Sequence, residues 1–503
     1  MAGLYWNRHI YSASRLLQNH FFFIVSSLLL FSNLTSGQAQ NIVEKLDQVG
    51  RSSFNAVAFT VKGVPLDTAR GFFISADGLA ITTASLFENG DTIVFSDEKD
   101  HPLTLHRIVA VHNYANIALI QLRNPRAKEI EFIQPSKKAF NSQGDILSFV
   151  NPLEGEKGLG YGNMGSILRI TFLGRCAKIS LQAGAASESA PIVDVNGDFI
   201  GLYYYSGSNT QGILLPTSVI TDDHWISVNQ SWWAFKANPR RAGLTSPYFA
   251  QGLINQSQGK WLEAARVYTS LLKITPNDPL IHALRALTRF NYGNNVGGRE
   301  DFTYSLNLDP NGYYPYYARA ISYLNAKERT KAVEDLFQAV DKKPDFVDAF
   351  LEIGRIQVLF GDIRHAFASF TYALETDSLL AEAWYERGRL YIQHSSDQGK
   401  ALSDLSTAAR LNPSLQGVFT LIGNIKFSQQ NYLEAILDFD KAINQDGTDI
   451  HALMNRGMAH FNTGLTDKAC ADWEQAGKLG HLQAFKLLSR HCSEVRRGSY
   501  TGR

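Results

Sequence analysis

Gly71-Phe-Phe-Ile-Ser-Ala-Asp-Gly-Leu-Ala-Ile-Thr-Thr-Ala-Ser85 is the stretch of sequence that decides the fold of the N-terminal half. Two short apolar runs lie on either side of Asp77-Gly78, a dipeptide that is typical of a tight turn between antiparallel strands. The stretch therefore predicts a β-hairpin.

The sequence around this hairpin keeps the same character up to about residue 240. Short β-branched and aromatic runs alternate with Gly, Asn and Asp turns, as in Thr92–Phe95, Ile117–Leu122 and Phe199–Tyr203. Asn196-Gly197 predicts a second hairpin turn. Several strands at such close spacing indicate an all-β barrel or sandwich.

Helical periodicity replaces the strand signals in the C-terminal half. A glycine is followed twelve or thirteen residues later by an alanine in five places, at Gly252/Ala264, Gly354/Ala366, Gly388/Ala401, Gly423/Ala435 and Gly457/Ala469. A large residue lies four positions beyond each alanine, at Tyr268, Phe370, Leu405, Phe439 and Trp473. Small residues let two antiparallel helices approach closely, and the large residue fills the gap between them. The period of about 34 residues resembles that of tetratricopeptide repeats.

The repeat frame predicts seven units of two helices each. Their ranges are 245–278, 279–312, 313–346, 347–380, 381–414, 415–448 and 449–482. The second and third units have Ala286 and Ala320 where glycine is usual. The segment Leu482–Cys492 predicts an amphipathic helix that caps the exposed end of the array.

The N-terminus has the layout of a secretory signal peptide. Arg8 and Arg15 precede the apolar run Phe21–Phe31, and Gly37 and Ala39 are the small residues before a cut after residue 39. The apolar run is shorter than the roughly 20 residues that span a bilayer, and no later segment is long and apolar enough to do so. We therefore expect an exported protein, periplasmic or secreted, with no integral membrane segment after cleavage.

Composition limits the partners and cofactors. The net charge of +1 gives no overall attraction to nucleic acid, so no nucleic-acid partner is expected. In an exported protein, Cys470 and Cys492 are candidates for a disulfide, with Cys176 as a small buried residue, but their spacing alone leaves that pairing open. No Cys/His cluster has metal-site spacing, and we expect neither a metal nor a cofactor.

Residues 50–222 resemble trypsin-fold serine proteases of the Deg/high-temperature-requirement type. The segment Gly71–Ser85 resembles the place where that family carries its catalytic histidine, and Asn116–Ile120 resembles the strand that begins with its catalytic aspartate. Further segments follow in the family's order: Gly144-Asp145, Asn151-Pro152-Leu153, Gly162–Ser166, Pro191–Gly197, Phe199–Gly201 and Leu215–Thr217.

The two resemblances imply a multidomain chain, an all-β trypsin-like double β-barrel followed by an all-α tetratricopeptide solenoid. The predicted boundaries are 1–39 for the signal peptide, 45–222 for the protease-like domain, 223–244 for a linker, 245–482 for the repeats and 483–503 for the capping helix and tail. Because the linker contains Trp232-Trp233 and Pro239-Arg-Arg241, docking of the two halves is an alternative to a bare linker.

The resemblance puts the wrong residues at all three catalytic positions. Carried over by motif, the histidine becomes Ser85, the aspartate Asn116 and the serine nucleophile Glu188, which lies in the loop Ala186–Pro191. A triad works as a unit, because the hydroxyl needs an adjacent base and the base needs an orienting carboxylate. These are vestigial positions, and no catalytic residue is assigned.

A shift of the loop by one residue makes Ser187 or Ser189 the candidate hydroxyl, but no base is evident near either. The oxyanion site of the family depends on a glycine-rich turn. Ala186, Ser189 and Ala190 replace those glycines here, which makes a positive φ costly.

Other polar residues of this half offer weaker alternatives. His101, His106 and His112 are spaced for neither a metal pair nor one strand face and are expected to be exposed or singly hydrogen-bonded. The remaining alternative is that Asp145 and Glu188 act together as an acid and a base.

The repeats predict a binding surface, since the first helix of each tetratricopeptide unit lines the inner, concave face. Inner-facing positions hold aromatic, arginine and asparagine residues: Phe249, Tyr317, Asn325, Arg355, Tyr385, Arg389, Asn424 and Asn462. Rings pack the side chains of an extended peptide and amides bond its backbone, so we expect a protein or peptide partner. Any one of these residues has the alternative role of stabilising neighbouring helices. The Lys/Asn carboxylate clamp of some chaperone-binding relatives is not assembled, so a terminal carboxylate is not indicated as ligand.

Two main functions follow from these patterns. The first is an exported, non-catalytic scaffold that combines a pseudoprotease barrel with a peptide-binding superhelix. The alternative is an active serine endopeptidase with a rearranged site, whose repeats recruit substrate or partner. A different β-domain that binds peptide or glycan is a third alternative, and the sequence leaves the oligomeric state open.

Overall fold

The computed structural model describes residues 36–112, 115–123, 130–135, 144–150, 158–170, 173–181, 183, 187–208, 211–221, 225–236, 247–395 and 397–492. These residues form two compact units, one up to Asn325 and the other from Ala326. Several sequence predictions concern segments outside the described residues: the apolar leader up to residue 35, Asn151-Pro152-Leu153, Ala186, Pro239-Arg-Arg241 and the tail after Cys492.

Six antiparallel strands close the first barrel in the order β5-β4-β1-β2-β3-β6, with β6 pairing back to β5. They are β1 (Ser53–Phe59), β2 (Pro65–Phe73), β3 (Leu79–Thr83), β4 (Thr92–Asp97), β5 (Pro102–His112) and β6 (Ile117–Arg123). The predicted hairpin is confirmed, since Gly71 pairs with Thr82 and Gly78 takes the left-handed φ of +90° in the turn. A side chain at Gly71 would lie 2.2 Å from the ring of Phe54, so packing explains that glycine.

Six further antiparallel strands form the second closed barrel in the order β10-β11-β12-β9-β8-β7. They are β7 (Gly144–Val150), β8 (Gly158–Ile170), β9 (Gly174–Leu181), β10 (Pro191–Asp194), β11 (Phe199–Ser208) and β12 (Gln211–Pro216). The turn at Asn196-Gly197 is also confirmed, with Gly197 at φ +76°. Cys176 is buried in β9.

Helix α1 (Ser36–Arg51) precedes the first barrel and was not predicted from the sequence. Its Leu46 and Val49 are buried. Lys45 Nζ lies 2.5 Å from Asp198 Oδ1 beside the β10–β11 turn, and Arg51 Nε donates to Glu131 Oε2 at 2.8 Å. The helix therefore ties the second barrel to the segment that connects the two barrels.

The predicted linker begins with regular structure docked on the first barrel. Strand β13 (Trp225–Gln230) pairs with β5, and the short helices α2 (Leu86–Asn89) and α3 (Trp232–Lys236) follow β3 and β13. Trp232 Nε1 donates to the Phe87 carbonyl oxygen at 3.1 Å, and Lys236 Nζ donates to the Gly90 carbonyl oxygen at 2.6 Å. Residues 225–236 are therefore packed on the first barrel and are not a bare linker, and these contacts do not involve the repeats.

From Pro247 to His491 the described residues form fifteen helices. They are α4 (Pro247–Ser257), α5 (Trp261–Ile274), α6 (Pro279–Asn291), α7 (Asn295–Leu308), α8 (Tyr313–Asn325), α9 (Arg329–Lys342), α10 (Val347–Leu359), α11 (Ile363–Thr376), α12 (Ala381–His394), α13 (Gln398–Leu411), α14 (Val418–Ser428), α15 (Tyr432–Gln445), α16 (Ile450–Asn462), α17 (Thr466–Lys478) and α18 (Leu482–His491). Two helices fall within each predicted unit. The double barrel followed by a tetratricopeptide-like helical array confirms the predicted fold class.

The small and large residues of the repeat frame meet as predicted. A Cβ added at Gly354 would lie 2.5 Å from Phe370, and one at Gly457 would lie 2.5 Å from Trp473. The matching alanines are buried, as Ala366 shows. The first and second helix of a repeat therefore pack at a distance that a larger residue at the glycine position would increase.

The first repeat helix belongs to the same unit as the barrels. Helix α4 packs against β11, and its Phe249 and Leu253 lie in one buried apolar cluster with Tyr204 and Ile213 of the second barrel. Phe249 is 0 % exposed, so the prediction that it faces a ligand on the inner surface is wrong. Its ring instead fills core between helix and barrel.

The end of the chain's second unit is held by a covalent link, since Cys470 and Cys492 form a disulfide between α17 and the end of α18. Among the described helices, none combines the length and the apolar character that crossing a bilayer requires.

Candidate functional site

Ser85, Asn116 and Glu188 are brought together by the folding of both barrels. Strand β3 ends at Thr83 opposite Ile117 of β6, which places Ser85 and Asn116 side by side. Asn116 Nδ2 donates to Ser85 Oγ at 3.2 Å and to Glu188 Oε1 at 3.1 Å. In return the Ser85 backbone N–H donates to Asn116 Oδ1 at 3.0 Å. The three positions form one continuous hydrogen-bonded chain, which we call the Ser85–Asn116–Glu188 chain.

The loop before β10 carries Glu188 into the interior. Thr83 Oγ1 donates to the Glu188 carbonyl oxygen at 3.2 Å, and the Ser189 N–H donates to the Tyr203 carbonyl oxygen at 2.9 Å. The Ala190 N–H donates to the Ser187 carbonyl oxygen at 3.0 Å. These bonds fix the loop to both barrels, so Glu188 has little freedom to turn toward solvent.

Burial dominates the electrostatics of Glu188, whose exposed fraction is 4 %. Burial raises the pKa of its carboxyl to about 8, since the hydrogen bond from Asn116 only partly offsets that effect and the Asp67 carboxylate adds to it. The pKa of Asp67 is itself raised, chiefly by burial. Glu188 is therefore mostly protonated at neutral pH, and a neutral carboxyl needs no buried counter-charge.

The Ser85–Asn116–Glu188 chain differs from a serine-protease triad in all three groups. Ser85 offers a hydroxyl where a base is needed, and the amide of Asn116 neither accepts a proton nor stabilises a cation. Glu188 offers a buried, mostly protonated carboxyl in place of a nucleophilic hydroxyl. Each group is instead a hydrogen-bond partner for the next.

The two alternative nucleophiles are inaccessible, since Ser187 and Ser189 are both 0 % exposed. Ser189 Oγ lies 3.1 Å from Thr83 Oγ1, a hydroxyl that cannot act as a base near neutral pH. Ser189 also takes the left-handed φ of +65°, which costs a residue with a Cβ on the order of 1 kcal/mol. The loop therefore keeps a conformation suited to glycine although no glycine is present.

The remaining polar candidates are scattered. His101 Nδ1 lies 2.9 Å from Asp97 Oδ2, and His106 Nε2 lies 3.4 Å from Arg123 Nη2. His112 is buried, and its Nδ1 accepts from the Ala115 N–H at 2.9 Å. Within the described ranges no three His, Cys, Asp or Glu side chains are grouped as a metal site.

Asp145 does not join Glu188. Its carboxylate hydrogen-bonds the Tyr161 hydroxyl and raises the pKa of that tyrosine, whereas the side-chain partner of Glu188 is Asn116. The acid and base pair that the sequence left open is therefore not assembled.

In the compact unit that begins at Ala326, two predicted arginines lie on the first helices of their repeats, α10 and α12, and pair with acidic neighbours. Arg355 Nε donates to Glu386 Oε1 at 3.0 Å and Arg355 Nη1 to Glu352 Oε1 at 2.6 Å. Arg389 Nη1 donates to Glu386 Oε2 at 2.9 Å and lies 5.7 Å from the Tyr385 ring centre. Burial raises the pKa of Glu352 although Arg355 opposes it. Glu352 and Glu386, which were not predicted from the sequence, pair with both cations.

The predicted asparagines also form hydrogen bonds, each within its own compact unit. Asn455 Nδ2 donates to Asn424 Oδ1 at 2.7 Å, and Asn462 Nδ2 donates to the Met458 carbonyl oxygen at 2.8 Å. In the compact unit that ends at Asn325, Asn325 Nδ2 donates to Asn291 Oδ1 at 3.1 Å. Tyr317 of the same unit is half-buried.

A recurring arginine–aspartate contact between helices was missed. Arg387 makes two bonds to Asp404, at 2.8 and 3.1 Å, and a third to Thr371 Oγ1 at 3.3 Å. Arg285 and Arg456 repeat the arrangement, with bonds of 2.8 and 2.6 Å to Asp301 and of 3.1 and 2.5 Å to Asp472. The sequence contains a pattern that could have indicated this contact. Aspartates that are buried in the structure recur three positions beyond the repeat-frame alanines or their equivalents, at Asp301, Asp335, Asp404, Asp438 and Asp472.

Comparison with protein-family models found no match. Human Superkiller complex protein 3 is 21 % identical over 266 residues, which cover 44 % of this chain and 17 % of that protein. Human Tetratricopeptide repeat protein 6 is 25 % identical over 195 residues, 32 % of this chain and 37 % of that protein. A solved structure of pilF from Pseudomonas aeruginosa has a TM-score of 0.39 and 16 % identity over 41 % of this chain and 95 % of that one.

The chain thus spans less than two fifths of the length of these two curated relatives. Tetratricopeptide repeat protein 6 carries the repeat type in its name, which agrees with the helical half of this chain.

Proposed function

We propose that this protein is a non-catalytic scaffold, in which a barrel pair with a vestigial protease site is joined to a tetratricopeptide array that binds a protein or peptide. The observation that carries the proposal is the Ser85–Asn116–Glu188 chain. Where acyl transfer needs a nucleophile, a base and an orienting carboxylate, this chain has three groups that only bond one another.

The burial of the alternative hydroxyls supports the same proposal. A substrate carbonyl must approach within about 3 Å of the attacking oxygen, and the side chains of Ser187 and Ser189 have no exposed surface. An active endopeptidase would therefore need the loop of residues 187–190 to leave both barrels, which breaks its bonds to Thr83 and Tyr203.

A peptidase assay separates the two functions. We expect no hydrolysis of unfolded casein by the wild type, and the same background for Glu188→Ala and Ser189→Ala. Activity that is present in the wild type and lost in Ser189→Ala would instead establish the serine endopeptidase. Far-UV circular dichroism of each variant shows whether a loss reflects unfolding.

The binding half of the proposal rests on the helical array and its relatives. One relative is named as part of a complex, and a partner on the concave face of this chain's repeats is proposed by analogy. Because Arg355 and Arg389 are neutralised by Glu386 and Glu352, we expect a partner that bonds through amides and rings rather than a strongly acidic one.

Affinity capture with the protein lacking residues 1–39 tests this surface. Partners that are lost with Asn424→Ala/Asn455→Ala, and retained with the exposed control Glu263→Ala on α5, support binding at the inner face. Partners that persist unchanged with the asparagine pair and with Arg355→Ala/Arg389→Ala would remove the inner face as the binding site.

Export is part of the proposal, on the sequence of the leader alone. The apolar run Phe21–Phe31 with small residues at Gly37 and Ala39 supports it. N-terminal sequencing of the protein recovered from the extracytoplasmic fraction is expected to begin near Gln40. Recovery of the intact N-terminus in the cytoplasm would contradict export.

A further inference from the structure

Helix α18 has the residue pattern of a first repeat helix rather than that of a simple cap. The third residue of α10, α12 and α16 is a buried alanine, at Ala349, Ala383 and Ala452, and the third residue of α18 is the buried Ala484. The fourth residues are large and apolar, at Phe350, Trp384, Leu453 and Phe485. The eighth residues are small, at Gly354, Gly388, Gly457 and Ser489.

In complete repeats the second helix covers these positions. The ring of Phe350 lies 4.3 Å from the Tyr372 ring of α11, and Leu453 is 0 % exposed. The small eighth residue receives the large residue of the second helix, as Gly354 receives Phe370. On α18 the fourth residue, Phe485, is 54 % exposed, and Leu482 beside it is 79 % exposed. Within the described part of the chain, this face of α18 is therefore exposed where the same face of a complete repeat is covered.

The charges of α18 indicate what kind of helix fits there. Lys486 and Arg490 are its only charged residues apart from histidines, and both are exposed. The eleven residues after Cys492 carry three arginines and one glutamate, with Val495 and Tyr500 as their only large apolar residues. Like charge disfavours both that tail and a second copy of α18 as occupant, and an acidic helix is favoured.

The disulfide fixes the position of α18 relative to α17. The helix fully buries only Ala484, and apolar contact of that size alone holds a ten-residue helix weakly. Cys492, directly after its last turn, is linked to Cys470 of α17. The position and tilt of the open face are therefore set before any partner binds, which lowers the entropic cost of binding.

We propose that α18 is the first half of an eighth repeat that a partner completes, by docking an amphipathic helix with an apolar stripe and acidic flanks. The incoming helix covers Leu482 and Phe485, places a large side chain over Ser489 and pairs its acidic residues with Lys486 and Arg490. This interaction surface is separate from the inner face and does not depend on it.

The chain itself supplies a suitable probe. The acetylated peptide Tyr-Leu-Glu-Ala-Ile-Leu-Asp-Phe-Asp-Lys-Ala-Ile-Asn-Gln has the sequence of α15, a second helix with three acidic residues and one lysine. In its own repeat Phe439 fills the space over Gly423, where a Cβ would lie 2.6 Å from the ring. The control peptide has serine in place of that phenylalanine.

Fluorescence anisotropy of the labelled peptide against the full-length protein tests the proposal. We expect saturable binding, weakened at least tenfold by Phe485→Ser, by Lys486→Glu/Arg490→Glu and by the serine peptide. The inner-face control Asn424→Ala should change the affinity less than twofold. Phe485 and both cations are exposed, so these variants are expected to keep the fold, which circular dichroism and the intact disulfide verify.

Three results would overturn the proposal. The first is no binding at protein concentrations up to about 1 mM, or binding that Phe485→Ser leaves unchanged. The second is self-association that Phe485→Ser abolishes in sedimentation velocity, which would assign the face to a second copy. The third is at least tenfold tighter peptide binding after removal of residues 493–503, which would assign the face to the protein's own tail.

Discussion

Replacing Glu188 by glutamine should make the barrel pair less sensitive to alkaline pH. The pKa of the carboxyl is about 8 in the folded protein against 4.5 for the unperturbed group, chiefly because Glu188 is buried. Between those two pH values the unfolded state has lost this proton while the folded state keeps it. Stability therefore falls as pH rises from 4.5 to 8, and glutamine, which has the same shape and no proton to lose, removes that dependence.

The expected size follows from the shift in pKa. Each unit corresponds to about 1.4 kcal/mol, so Glu188→Gln gains on the order of 3 kcal/mol over the wild type at pH 7 and roughly 5 kcal/mol above pH 8. Near pH 4.5 the two proteins should be equally stable, because the glutamine Oε1 accepts the bond from Asn116 as the neutral carboxyl does.

Urea unfolding at pH 5, 7 and 8.5 measures this difference, with hydrogen exchange of β3 and β10 reporting the barrels rather than the helices. Glu263→Gln, on the exposed face of α5, is the matched control and should follow the wild type at every pH. Parallel wild-type and Glu188→Gln curves from pH 5 to 8.5 would show that Glu188 is ionised in the folded state, and would refute the reasoning.

Three stability predictions concern the repeats. Arg387→Ala leaves the buried Asp404 without its two bonds and should cost about 3 kcal/mol in urea unfolding, with partial recovery in Arg387→Ala/Asp404→Ala; an equal loss in both variants would argue against the contact. Gly423→Ala places a Cβ 2.6 Å from the Phe439 ring and should cost about 1–3 kcal/mol by the same assay, whereas no change would mean that the helices have room to separate. Cys492→Ser removes the disulfide to Cys470, which spans 22 residues, so it should lower the free energy of unfolding by about 3 kcal/mol and speed hydrogen exchange in α18. Unchanged exchange in α18 would show that packing alone holds the helix.

The parts of the fold that follow from local periodicity were predictable from the sequence. The glycine at 354 and the phenylalanine at 370 meet because the 34-residue frame fixes both the helix phase and the partner helix. Asp77-Gly78 makes its turn because glycine tolerates the φ of +90° that the hairpin needs. The order of motifs likewise identified Ser85, Asn116 and Glu188, although their mutual hydrogen bonds required the structure.

The missed features depend on residues far apart in the chain. Helix α1 is stabilised by a turn about 150 residues away, through Lys45 and Asp198, and no local pattern encodes that contact. The pairing of Arg355 with Glu386 links neighbouring first helices, so a search for free inner-face cations could not see that the charge was already neutralised. Phe249 fits the inner-face frame but lies against the second barrel, because the first repeat has a neighbour there that a generic repeat does not.

Exposure of the protein to a fluorophosphonate probe, followed by intact-protein and peptide mass spectrometry, tests the proposed absence of catalysis most directly. Such a probe reacts with a serine hydroxyl only where a base activates it. With Ser85, Asn116 and Glu188 bonded to one another and the hydroxyls of Ser187 and Ser189 buried, we predict no adduct on any serine of residues 36–236. A stoichiometric adduct on Ser187 or Ser189 that denaturation before labelling abolishes would contradict the account.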